Sequence, residues 1–167
     1  MKKITLVALA ALALGSCNNG PQFNVNGEVA DADGKMLYLE ASGLEGIIPL
    51  DSVKLSGKGS FGFKQARPES PEFYRLRIED KVINFSVDST ETMAINAPYT
   101  EFATAYIVEG SENSRKIKEL SLKQARLQQD VNELLNAARA NKIRNDVFED
   151  SLSALVNDYK NDVKINY

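Results

Sequence analysis

The chain has 167 residues, 43% hydrophobic and 26% charged, which is enough apolar material to bury a core without disulfides or metal. Its 23 acidic residues outnumber its 20 basic ones, so it lacks the basic surface that neutralises nucleic-acid phosphates. Histidine is absent, which removes the usual general base near neutral pH, the usual zinc ligand and every Ser-His-Asp arrangement.

Lys2 and Lys3 make a positive start, and Ile4 to Leu14 form an apolar run shorter than the ~20 residues of a membrane-spanning helix. The following Leu14-Gly15-Ser16-Cys17 resembles the lipobox read by the lipoprotein signal peptidase. Small side chains let the backbone lie extended in the protease cleft, and the thiol is the nucleophile that accepts diacylglycerol. Cys17 is the single cysteine, so it has no intramolecular disulfide partner. Residues 1–16 are therefore expected to be a lipoprotein signal peptide and 17–22 a lipidated tether, with Cys17 as the lipid attachment and the membrane as partner. Losing Lys2 and Lys3 leaves the mature chain more acidic than the formal -3 of the whole sequence. Asn18 stands where the aspartate associated with inner-membrane retention would be, which points to an outer membrane lipoprotein of the cell envelope facing the periplasm.

From Phe23 to Val108 apolar residues recur with a period near two between glycine- and aspartate-rich turns, the pattern of half-buried antiparallel strands. Phe23 to Val29 and Met36 to Glu40 flank Asp31-Ala32-Asp33-Gly34 and read as a first hairpin. Asp51 to Lys64, turning at Ser56-Gly57-Lys58-Gly59, reads as a second. Runs around Tyr74 to Ile78, Ile83 to Val87 and Met93 to Ala97 read as a meander, with a short strand near Ala105 to Val108.

The pattern changes at Gly110-Ser111. Ser111 or Ser114 is a candidate cap, and Ile117, Leu120, Gln124, Leu127, Val131, Leu134 and Ala138 follow the spacing of an amphipathic helix. Glu112 with Lys116 and Glu119 with Lys123 are supporting acid-before-base pairs. A break is expected around Asn141 to Asn145. Asp146 with Glu149 resembles a capping box for a second helix striped by Phe148, Leu152, Leu155, Tyr159 and Val163. The apolar stripe fits either an intermolecular coiled coil or packing on the β domain and second helix, and with fewer than four clean heptads the second is favoured. The fold class expected is α+β: an antiparallel β-sandwich-like domain over 23–108, then a two-helix C-terminal hairpin over 109–167. The second helix meets no stop signal before Tyr167, which is expected of either a frayed end or a boundary cut from a longer chain.

Phe23-x-Val25-x-Gly27, Leu37-Tyr38-Leu39, Asp51-Ser52-Val53, Gly59-x-Phe61-x-Phe63 and Tyr74-x-Leu76 together resemble the N-terminal β region, of unknown function, of thioredoxin-like (disulfide reductase family) envelope lipoproteins. In that family a Glu-Gly-Ser motif, similar to Glu109-Gly110-Ser111, leads into helices and then a thioredoxin domain. The resemblance covers Phe23 to Ala97 and implies a module for spacing, docking or dimerisation. With one cysteine, the family's Cys-x-x-Cys redox pair is missing, so disulfide chemistry does not carry over.

Nothing in the residues assembles a catalytic site. Asp31 with Asp33, Glu69 with Glu72, and Asp88 with Glu91 are the nearest carboxylate pairs, each at a predicted turn where acidic residues are common. Asp31 to Gly34 lacks the later glutamate of a calcium loop, and Gly57 to Gly62 lacks the Lys and Ser/Thr of a phosphate loop. No catalytic residue, cofactor or metal ligand is expected. Phe61, Phe63, Phe73, Tyr74 and Phe85 read as core, leaving Tyr38, Tyr99 and Tyr106 as candidate ligand contacts. The function expected is a non-catalytic lipid-anchored envelope module with a homodimer or envelope protein as further partner. The alternative is a glycan- or peptide-binding β module.

Overall fold

The computed structural model describes residues 20–44 and 46–166; the expected signal peptide over 1–16 and Cys17 lie outside them. Eight strands are followed by two helices: β1 Gln22–Ala30, β2 Met36–Gly43, β3 Gly46–Lys54, β4 Ser60–Ala66, β5 Glu72–Ile78, β6 Lys81–Val87, β7 Thr92–Pro98, β8 Ile107–Glu109, α1 Glu112–Arg139 and α2 Asn145–Asn166. The strands make two four-stranded sheets, β4-β1-β7-β8 and β3-β2-β5-β6. The architecture is the expected α+β one, a sandwich-like arrangement of mainly antiparallel strands followed by a helical pair.

The alternation of side chains fixes which face each strand buries. Phe23, Val25 and Val29 of β1, Phe61 and Phe63 of β4, and Met93 and Ile95 of β7 pack against Leu37 and Leu39 of β2, Leu76 and Ile78 of β5, and Ile83 and Phe85 of β6. Rings of Phe23 and Tyr74 meet across the layers with centroids 4.9 Å apart. Gly27 is required by close approach, since a Cβ there would lie 1.8 Å from the Ile95 carbonyl oxygen.

Strand pairing differs from the hairpins read in the sequence. β1 pairs with β4 and, in parallel, with β7, while β2 lies in the other sheet, so Asp31-Ala32-Asp33-Gly34 carries the chain between layers. Ser56 to Gly59 does the same between β3 and β4. Of the predicted meander, β5 and β6 pair but β7 crosses to the first sheet. The hairpins present are β2–β3, β5–β6 and β7–β8. Gly34, Gly57 and Gly59 have positive φ, as the expected turns at these positions require. A tight turn reverses the chain equally well within a sheet or across to the facing one, which is why it did not reveal the partner.

The registers place one set of elements at a common end of the sandwich. The starts of β1, β3, β5 and β7, the ends of β2, β4, β6 and β8, and the start of α1 all lie there. Gly20 and Pro21 lead into β1 at this end, and Pro21 accepts a hydrogen bond from the Arg67 amide at 3.0 Å.

α1 closes the open side of the sandwich between β6 and β8. Ser111 is its N-cap, accepting from the Ser114 amide, and Gly110, with φ 84, packs its backbone onto Thr92 where a Cβ would not fit. Ser114 Oγ accepts from the Ser86 amide at 3.2 Å and donates to the Ser86 carbonyl at 3.0 Å, which satisfies the free edge of β6. At 28 residues α1 is about 42 Å long, whereas a seven-residue strand covers about 23 Å, so the helix extends beyond the sheets. α2 packs along α1, tied to it by Lys123 with Asp162, and has no fully buried residue. Helix α2 begins at Asn145, placing Asp146 inside the first turn paired with Arg144; the expected Asp146 cap is therefore not the one used.

Candidate functional site

The three tyrosines singled out in the sequence are placed apart. Tyr38 lies on the outer face of the second sheet, half-buried, with the Arg77 guanidinium 4.3 Å from its ring centroid. Beside it Glu40, only 2% exposed, accepts from Arg75 Nε at 2.6 Å and Arg77 Nε at 2.9 Å. Burial pushes the Glu40 carboxyl upward, but the hydrogen bonds and charges of Arg77 and Arg75 outweigh it and hold the group below the usual carboxylate range. Tyr99 sits at the end of the sandwich opposite the start of β1, with Lys81 Nζ 4.0 Å and Lys35 Nζ 4.9 Å from its ring centroid and its hydroxyl donating to Glu79 at 2.7 Å. Tyr106 is 1% exposed and belongs to the core, where burial raises its hydroxyl to about 12; it presents no face to a ligand. Of the carboxylate pairs, Asp33 accepts from the Gly57 amide and holds a turn, while Asp88 and Glu91 come together near Ser111. Among the described residues no group of three or more His, Cys, Asp or Glu is placed to hold a metal ion.

The apolar residues of the core strands leave a different surface uncovered. Leu44 is fully exposed, Ile48 is 52% and Phe73 58% exposed, and Ile47 is also exposed; all four lie at the end where β1 begins. Ile48, Pro71, Phe73 and Leu44 line a groove of about 540 Å³ there. A second groove, of about 260 Å³, runs from Phe73 past Ser86 to Ile117 of α1. Phe73 is the ridge between the two. The alternation of aromatics assigns Phe73 to the core, yet its neighbour Tyr74 points inward, and successive strand residues must face opposite ways. Ile47-Ile48-Pro49-Leu50 is apolar without alternation, a pattern that by itself reads as a buried strand; only Pro49 marks it as an edge.

β3 is an edge strand, but not a smooth one. Its pairing with β2 slips between Leu39 and Glu40, leaving Leu50 as the extra residue, and Pro49 lacks an amide donor. Bulge and proline together oppose addition of a further strand, so this surface offers side chains rather than a backbone ladder.

The ordered core strands, the Gly27 and Gly59 close approaches and the capped α1 start fall within one matched segment: the family model described as a domain of unknown function, DUF4369, covers residues 23–117. The chain belongs to the DUF4369 family. The DUF4369 domain thus takes in both sheets and the first turns of α1, ending near the contacts of Ser114 and Lys118 that fix the helix to the sandwich. No curated protein matches the chain.

Proposed function

We propose that this DUF4369 chain is a non-catalytic, lipid-anchored module of the cell envelope that spaces or docks a partner away from the membrane. The observation that carries the reading is the disposition of the chain: the tether enters at one end of the sandwich, and α1, longer than the sheets, carries the chain past them. Lys2, Lys3, the run Ile4 to Leu14 and Leu14-Gly15-Ser16-Cys17 support export and acylation of Cys17, with sorting to the periplasmic face of the outer membrane. The resemblance to thioredoxin-like envelope lipoproteins supports the same role, a spacer ahead of a functional domain, and extends the partner list to a homodimer or envelope protein. Among the described residues no helix is long and apolar enough to cross a membrane, so attachment on this reading rests on the lipid.

Metabolic labelling with radioactive palmitate tests it. The wild-type chain is expected to take up the label and Cys17→Ser to take up none; equal labelling of the two, or none in either, contradicts acylation at Cys17. A second reading, a glycan- or peptide-binding module, draws on the groove beside Phe73.

A further inference from the structure

Of the seven large apolar side chains exposed on the described part of the sandwich, four lie together, while Met36, Leu50 and Ile107 stand elsewhere. Leu44, Ile47, Ile48 and Phe73 gather at the end where β1 begins, and the groove beside them opens at that end too. Soluble surfaces seldom leave such a cluster uncovered without an occupant. The occupant is indicated by the length of chain between Cys17 and Gly20, three residues that span at most about 11 Å when fully extended. An acyl chain on Cys17 therefore holds this end, and no other, within reach of the lipid surface.

We propose that Leu44, Ile47, Ile48 and Phe73 form a rim that seats in the interfacial layer of the bilayer carrying the Cys17 lipid, standing the sandwich upright with α1 directed away. The proposal rests on acylation of Cys17. Branched aliphatic and aromatic side chains suit the boundary between headgroups and acyl chains. Charges at this end are mainly acidic, Glu69, Glu72, Asp88, Glu91, Glu109 and Glu112 against Lys64, Arg67 and Lys116, so insertion depends on apolar contact and draws nothing from anionic lipid. The bulge and Pro49 on β3 disfavour a strand from another protein in the same place.

The chain has no tryptophan, so single-tryptophan variants report position without background. Phe73→Trp marks the rim, and Ile107→Trp, a residue of similar exposure (55% against 58%) at the opposite end, is the control. Each full-length lipidated variant is reconstituted into vesicles of phosphatidylethanolamine and phosphatidylglycerol, with and without bromination of the acyl chains, and floated on a density gradient. The expected result is flotation of both, with Phe73→Trp blue-shifted and losing most of its emission to the brominated lipid and Ile107→Trp unchanged. Flotation with neither residue quenched, or both quenched alike, overturns the rim while acylation stands. Flotation with Phe73→Trp blue-shifted, unquenched and cross-linkable between copies also overturns it, in favour of a second copy on the same surface. Failure to float removes the acylation itself, and the rim with it.

Discussion

Two glutamates show how the same residue type takes opposite roles according to its neighbours. Glu40 is enclosed by Arg75 and Arg77, and its carboxyl is held low against the effect of burial. A depressed carboxylate contributes stability above the unfolded range, near 4.5, and loses that contribution as pH falls through its folded value. Glu91 is pushed upward, first by burial and then by the hydrogen bond it shares with Asp88, and its Oε2 is buried without a partner. Its contribution is therefore present when it is protonated and is lost as pH rises from that same range. Glu40→Gln is expected to cost about 1–3 kcal/mol at neutral pH and progressively less in acid. Glu91→Gln keeps a donor for Asp88 while removing the buried charge, so its melting temperature is expected above wild type at neutral pH and level with it in acid. Thermal melts of both variants across the acid range check the signs; parallel curves would contradict them. Neither role was legible in the sequence. Glu40 looked like an ordinary strand residue because the two arginines that close over it come from β5, 35 and 37 positions away.

At the scale of elements, the sequence specified strands and turns well and their partners poorly. Period-two alternation located β1, β2 and β4 to β7, since each buries one face against the other sheet, a local property that repeats along the chain. It missed the start of β3, whose residues are exposed and so carry no alternation. Pairing depends on residues far apart, and the parallel β1–β7 match joins Asn24 to Thr92 with no local signature at all. The first helix was legible from its cap and stripe, Ser111 and Ile117 onward. What the stripe did not disclose is that Ser114 reaches out of the helix to close the edge of β6. Ser114→Ala is expected to cost about 1–3 kcal/mol by stranding the Ser86 amide and carbonyl, and to raise hydrogen exchange at Ser86 more than at the central residues of β6. Uniform exchange along β6 in the variant would show that the edge is closed by other contacts.

For the molecule as a whole, the architecture and the attachment were readable from different kinds of information. Fold class followed from composition and periodicity, and membership of the DUF4369 family agrees with the order of the strand motifs. The cluster of Leu44, Ile47, Ile48 and Phe73 was not readable, because its members become neighbours only when β2, β3 and β5 align in register. In the arrangement proposed, anchor, rim and projecting helices act together, the sandwich separating a lipid surface from whatever the helical hairpin meets. That arrangement begins at the sulfur of Cys17, and intact-mass spectrometry of the protein purified from its own membranes addresses it directly. A mature chain starting at Cys17 and heavier by its acyl chains is expected; a free thiol, or a start at any other residue, would contradict it.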